Sequence, residues 1–166
     1  MRLPRLLLLV IPLMFFLPGA GLCGEKDAGN PTGRGRPIPD KVLGTCRTIA
    51  AILSVYPTFE VGKSEETIRD LQGIPERPGC RVIASGPTSG IAGEIDPAEA
   101  VRDHFQGTGW MEEIRYAADG PGTTTFAFRK YGMLCRVSGG AHSWIEDGKP
   151  FTSERYELEA GCVSDI

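Results

Sequence analysis

Histidine is scarce in this 166-residue chain: only His104 and His142 occur, so imidazole acid–base chemistry has just two possible seats. Basic residues are outnumbered, 18 Lys and Arg against 21 Asp and Glu, for a formal net charge of −3. No basic cluster is present. A surface that neutralises phosphates needs clustered cations, so neither nucleic acid nor an anionic membrane is an expected partner. No Cys-x-x-Cys and no nearby histidine pair occur, which removes support for zinc or thioredoxin-like chemistry, and no run of oxygen ligands resembles a calcium loop. Catalytic and nucleotide signatures fail by single positions. Gly86-Pro87-Thr88-Ser89-Gly90 carries its serine one place too late for a nucleophile elbow, and Gly62-Lys63-Ser64 has Pro57 where a phosphate loop needs its first glycine. Asn30-Pro31-Thr32 is disqualified as a glycosylation site by its proline. No apolar run approaches the roughly 20 residues of a spanning helix. No cofactor or metal is expected.

What is present is a composition of 41% hydrophobic and 23% charged residues, ordinary for one globular domain, with 22 glycines and 13 prolines that predict a loop-rich chain. The first two dozen residues read as a secretory signal peptide. Arg2 and Arg5 form a basic start, Leu6 to Leu17 is apolar apart from Pro12, and Pro18 to Gly24 is mostly small residues. Cleavage near Gly21 to Gly24 delivers a secreted or periplasmic protein; lipid attachment at Cys23 is the lesser alternative, because the large Leu22 precedes it. Losing residues 1–24 removes two arginines and no acid, which makes the mature chain more acidic. Residues 25–39, rich in glycine and proline with almost nothing to bury, predict a flexible linker. The globular domain is then 40–166.

Four cysteines lie in that domain, Cys46, Cys80, Cys135 and Cys162, and in an oxidising compartment they read as two disulfides. Val42, Cys46, Ile49 and Leu53 recur at helical spacing from a cap at Asp40 to a stop at Pro57. Ser64 is the expected cap of a short turn carrying Ile68 and Leu71 and ended by Gly73. A strand is expected from Cys80 through Val82 and Ala84 to Gly86-Pro87. Asp96, Pro97 and Glu99 then mark a second helix through a capping-box arrangement, with Ala98, Val101 and Phe105 buried and Gly107 at its end. Trp110, Ile114 and Tyr116 predict a strand, and Asp119 to Gly122 a loop. Thr124, Phe126 and Phe128 face the core across a Tyr131-Gly132 turn from Met133, Cys135 and Val137. Tyr156, Leu158, Ala160 and Cys162 share one face of the last strand, with Arg155, Glu157 and Glu159 on the other.

The fold class predicted is α+β: an antiparallel sheet of about four to five strands with two helices packed on one face, in the order β-α-β-β-β-β after an N-terminal helix. Inward-facing cysteines then pair as Cys46–Cys80 and Cys135–Cys162. Between the last two strands, Ser138 to Ser153 reads as a long irregular loop, and long loops are often functional. It holds the candidate binding residues His142 and Trp144. Trp144 either anchors a partner or folds back over the core edge. His104, beside Phe105 on the second helix, reads as a boundary residue. Glu112-Glu113 and Glu146-Asp147 are adjacent in sequence, so on strands they point to opposite faces and cannot act as acid/base pairs. The function expected is an exported binding or envelope-associated module, with no catalytic residue assigned, acting on an unknown protein or small molecule outside the cytoplasm. The alternatives are a secreted hydrolase using His142 with a loop carboxylate such as Glu146 or Asp147, and an inhibitor of a secreted hydrolase.

Mass spectrometry of natively exported protein should find a mature start between Leu22 and Glu25; an intact Met1 would contradict the leader.

Overall fold

Helix α1, Asp40–Leu53, forms where Val42, Cys46, Ile49 and Leu53 line one face, and all four are buried. It belongs to a computed structural model that describes residues 37–69 and 76–165. The expected leader and most of the linker, with Leu71 and Gly73, lie outside those residues. Asp40 does not cap α1. Pro39 holds that position and its carbonyl accepts from the Val42 and Leu43 amides at 2.9 and 3.2 Å, which places Asp40 inside the first turn as a favourable negative charge. The segment expected to turn at Ser64 is instead strand β1, Glu60–Ile68. As an edge strand it is mostly exposed, so it carries charges where an inner strand would alternate with apolar residues. Strand β2, Arg77–Pro87, begins earlier than predicted because its first residues pair with the end of β1.

Asp96 caps helix α2, Pro97–Gly107, as predicted, accepting from the Ala98 and Glu99 amides, but the Glu99 carboxylate turns to Arg102 at 2.7 Å instead of closing the box; Ala98, Val101 and Phe105 of the helix are buried. The strand expected from Trp110 to Tyr116 is broken. Only β3, Met111–Glu112, pairs; Ile114–Tyr116 is a single 3-10 turn, and the Glu113 carboxylate is held 2.7 Å from Arg129 beneath it. The loop at Asp119 contains strand β4, Ala118–Gly120. Strands β5, Thr123–Lys130, and β6, Met133–Gly140, make the predicted hairpin, with Tyr131 and Gly132 both at positive φ. The loop expected from Ser138 to Ser153 folds as a separate two-stranded hairpin, β7, Ser143–Glu146, with β8, Lys149–Thr152. Strand β9, Arg155–Ser164, follows.

The fold is α+β, and its main sheet has seven strands where four to five were expected. The antiparallel order is β1-β2-β9-β6-β5-β3, with β4 also on β5. Both helices contribute to one core on the inner face, with Val82, Phe126, Phe128, Val137 and Leu158. A smaller apolar cluster of Ile68, Tyr116, Ala127, Leu134 and Val163 forms on the outer face. The disulfides are Cys46–Cys80, which joins α1 to the sheet, and Cys135–Cys162, which joins β6 to β9. Each is worth about 2–4 kcal/mol. No helix among the described residues is long and apolar enough to cross a membrane.

Asp96 does more than cap. One carboxylate oxygen accepts from the Ala98 amide at 2.8 Å and from the Tyr156 hydroxyl at 2.7 Å, so the start of α2 is tied to β9. Burial, and then the hydrogen bond to Asp96, raise the Tyr156 phenol well above its ordinary value of about 10. Asp96→Ala should therefore cost about 2–3 kcal/mol, more than a cap alone, because it also strands a buried hydroxyl. The pH dependence follows from the raised phenol. Above about pH 10 the unfolded chain releases a proton that the folded chain keeps, so this stability is fully present below pH 10 and is lost as pH rises. Tyr156→Phe should lower stability at neutral pH yet flatten the alkaline decline in denaturant titrations; an unchanged decline would contradict the assignment.

Candidate functional site

The segment that carries His142 and Trp144 is a hairpin because Asp147-Gly148, both at positive φ, makes a tight two-residue turn, placing Trp144 opposite Phe151 and Ile145 opposite Pro150. Its base is anchored on three sides. The Ser153 amide donates to the His142 carbonyl at 2.7 Å, the Ser143 amide to Pro121 at 3.0 Å, and the Thr88 hydroxyl to the Ser153 carbonyl at 2.7 Å. Two glycines permit this approach. A Cβ on Gly122 would stand 1.9 Å from the Ala141 carbonyl oxygen, and one on Gly140 would stand 2.1 Å from that of Gly122.

Beyond the base, apolar residues face water. Trp144 and Phe151 stack at 5.9 Å between centroids, yet stay 48% and 42% exposed, and Ile145 on the opposite face is 78% exposed. Trp144 belongs to neither core cluster. Of the two positions considered for it, the structure places it on the surface.

Beneath the hairpin, a groove of about 650 Å³ runs over the outer face of β2, β9 and β6, lined by Ile83, Ser85, Ser138, His142, Glu157 and Glu159. Its charges are largely matched. Arg155 reaches Glu157 at 3.0 Å and donates to the Ser85 hydroxyl at 2.7 Å, while Arg81 approaches Glu159 at 3.3 Å. The carboxylates sharing the groove with His142 are thus those of β9, which sequence spacing had not joined to it. Glu146 and Asp147 are at the hairpin's far end, Glu146 roughly 13 Å along the strand from His142. The nearby Ser143 hydroxyl is engaged with Thr152 at 3.1 Å. Among the described residues, His142 has no side-chain hydrogen bond or ion pair to a carboxylate or hydroxyl, so the groove contains no oriented nucleophile–base pair. Nor does any cluster of three His, Cys, Asp or Glu among them suit a metal ion.

No protein-family model, curated protein or solved structure matches this chain. Function therefore rests on the site. The hairpin was foreshadowed by Asp147-Gly148 between Trp144-Ile145 and Phe151, but Pro150 and the flanking glycines favoured an irregular reading.

Proposed function

We propose that this chain is an exported recognition module whose β7–β8 hairpin inserts into an apolar cleft of a protein partner outside the cytoplasm. The observation that carries the reading is the Trp144–Phe151 stack with Ile145 behind it, exposed on a base held by backbone hydrogen bonds. An isolated two-stranded hairpin gains little from exposed aromatics, whereas large side chains on a fixed support make interface anchors with little ordering cost. Among the described residues both hairpin edges also lack strand neighbours, which leaves main-chain pairing with a partner strand open to them. Export is supported by the leader pattern and by two disulfides in so small a domain. Inhibition of a secreted hydrolase is one form such recognition can take. Hydrolysis by His142 has less support, because the loop carboxylates named for it stand at the other end of the hairpin.

A photo-crosslinking residue placed at Ile145 in the natively exported protein should give a discrete protein adduct, whereas one at Ile114, exposed at 81% elsewhere on the surface, should not. Trp144→Ala should suppress the Ile145 adduct while costing about 1 kcal/mol or less, against the roughly 3–5 kcal/mol of a core aromatic. No adduct, equal adducts at both positions or a variant that unfolds would overturn the proposal; an adduct of twice the chain mass would identify the partner as a second copy.

A further inference from the structure

A second depression, of about 390 Å³, opens on the other side of the sheet between α1, the end of α2 and the β5–β6 turn. Its chemistry is unlike that of the rest of this acidic chain. Lys41, Lys130 and His104 line it and, among the described residues, no carboxylate does; neither lysine joins an ion pair among them. Both ammonium groups lie over the ring of Tyr131, at 5.5 and 4.9 Å from its centroid. Tyr131 adopts φ 51 at the first turn position, where glycine or asparagine is favoured, and the residue is 72% exposed. That is a costly conformation for a side chain that buries little of itself. Beneath the lysines the wall is apolar: half-buried Trp110 packs edge-on to Phe105 at 4.7 Å, and Phe105 and Ile49 behind it belong to the closed core. The threonine hydroxyls of the wall already donate to helix carbonyls, Thr45 to Lys41 at 2.9 Å and Thr108 to His104 at 2.7 Å. The Lys130 ammonium also donates to the Thr108 carbonyl, so a ligand's charge would be met by Lys41, by the remaining N–H groups of Lys130 and by His104 on the wall.

The geometry points to a binding site for a small aromatic anion, one or two fused rings bearing a single carboxylate. The ring would lie against Trp110 and Tyr131, and the carboxylate would meet Lys41 and Lys130, with His104 on the same wall. A bare inorganic anion would leave the apolar lining unused, and a neutral arene would leave the two cations unmatched, so both parts of the ligand are needed. The site shares no lining residue with the groove under the hairpin and does not depend on partner recognition there.

The test is an NMR titration of the folded domain with 2-naphthoate, alongside the neutral 2-naphthamide and inorganic phosphate. Naphthoate should shift the Thr45, Thr108 and Tyr131 amides and the Trp110 indole proton in a saturable way, with naphthamide and phosphate each weaker by about tenfold or more. Lys41→Gln with Lys130→Gln should raise the naphthoate Kd by about tenfold while leaving the amide spectrum otherwise folded, and added salt should weaken the wild-type affinity. Shifts confined to other surfaces, equal binding of the amide, equal binding of phosphate or an unchanged Kd in the folded double variant would each overturn the assignment. If the double variant does not fold, Lys41→Gln alone, at an exposed helix position, provides the same comparison with a smaller expected loss.

Discussion

Cys162 faces two cysteines at once, Cys80 across the β2–β9 ladder and Cys135 across the β6–β9 ladder. Its bond to Cys135 fixes the register of β6 against β9, and Cys46 on α1 takes Cys80. That register cannot slip cheaply. A shift of one residue would turn Glu157 and Glu159 of the central strand toward Phe126 and Val137 and send Leu158 and Ala160 into water. The same strand holds Tyr156, whose hydroxyl grips Asp96 and so sets where α2 begins. Covalent and hydrogen-bonded constraints thus meet on β9, which separates the inner core from an outer face where matched charges at Glu157 and Glu159 give way to the small apolar cluster at Val163.

The hairpin is placed by this arrangement without joining it. It occupies the connection between β6 and β9, two strands locked side by side, so its base is held wherever they are held. Its tip has no such support. The two grooves differ in charge and composition: under the hairpin, acids are balanced by arginines, whereas beside α1 and α2 two lysines meet aromatic rings with no acid among the described lining residues.

Where a segment has one buried and one solvated face, its sequence foretells it. The apolar spacing of α1, the Asp96-Pro97-Glu99 start of α2 and the alternation of β5, β6 and β9 each follow from that contrast, and so do the cysteine pairs. Strand β1 lies at an edge and is mostly exposed, with only Val61 on the inner face and Ile68 on the outer face packed against apolar neighbours, so it has no alternation to read. Trp110 to Tyr116 alternates like a strand but is turned aside where Glu113 meets Arg129, a contact between segments that no local pattern encodes. Asp147-Gly148 carried a hairpin signal that Pro150 obscured. His142 and Trp144 could be singled out from the sequence, but the carboxylates that share the groove with His142 come from a strand more than a dozen residues on. The lysine and tyrosine groove draws on three separate elements and left no sequence signature.

If the hairpin is built for recognition, the fold must do without it. His142 and Ser153 are already hydrogen-bonded to one another and Ser143 pairs with Thr152, so residues 144–151 can be replaced by an Asn-Gly turn that keeps the Ser143 amide on Pro121. The decisive measurement is the thermal unfolding of this excised protein by near-ultraviolet circular dichroism. A cooperative transition within a few degrees of the intact chain is the predicted result. Loss of cooperative unfolding, or a fall of tens of degrees, would show that Trp144 and Phe151 hold the core together and would contradict a hairpin reserved for a partner.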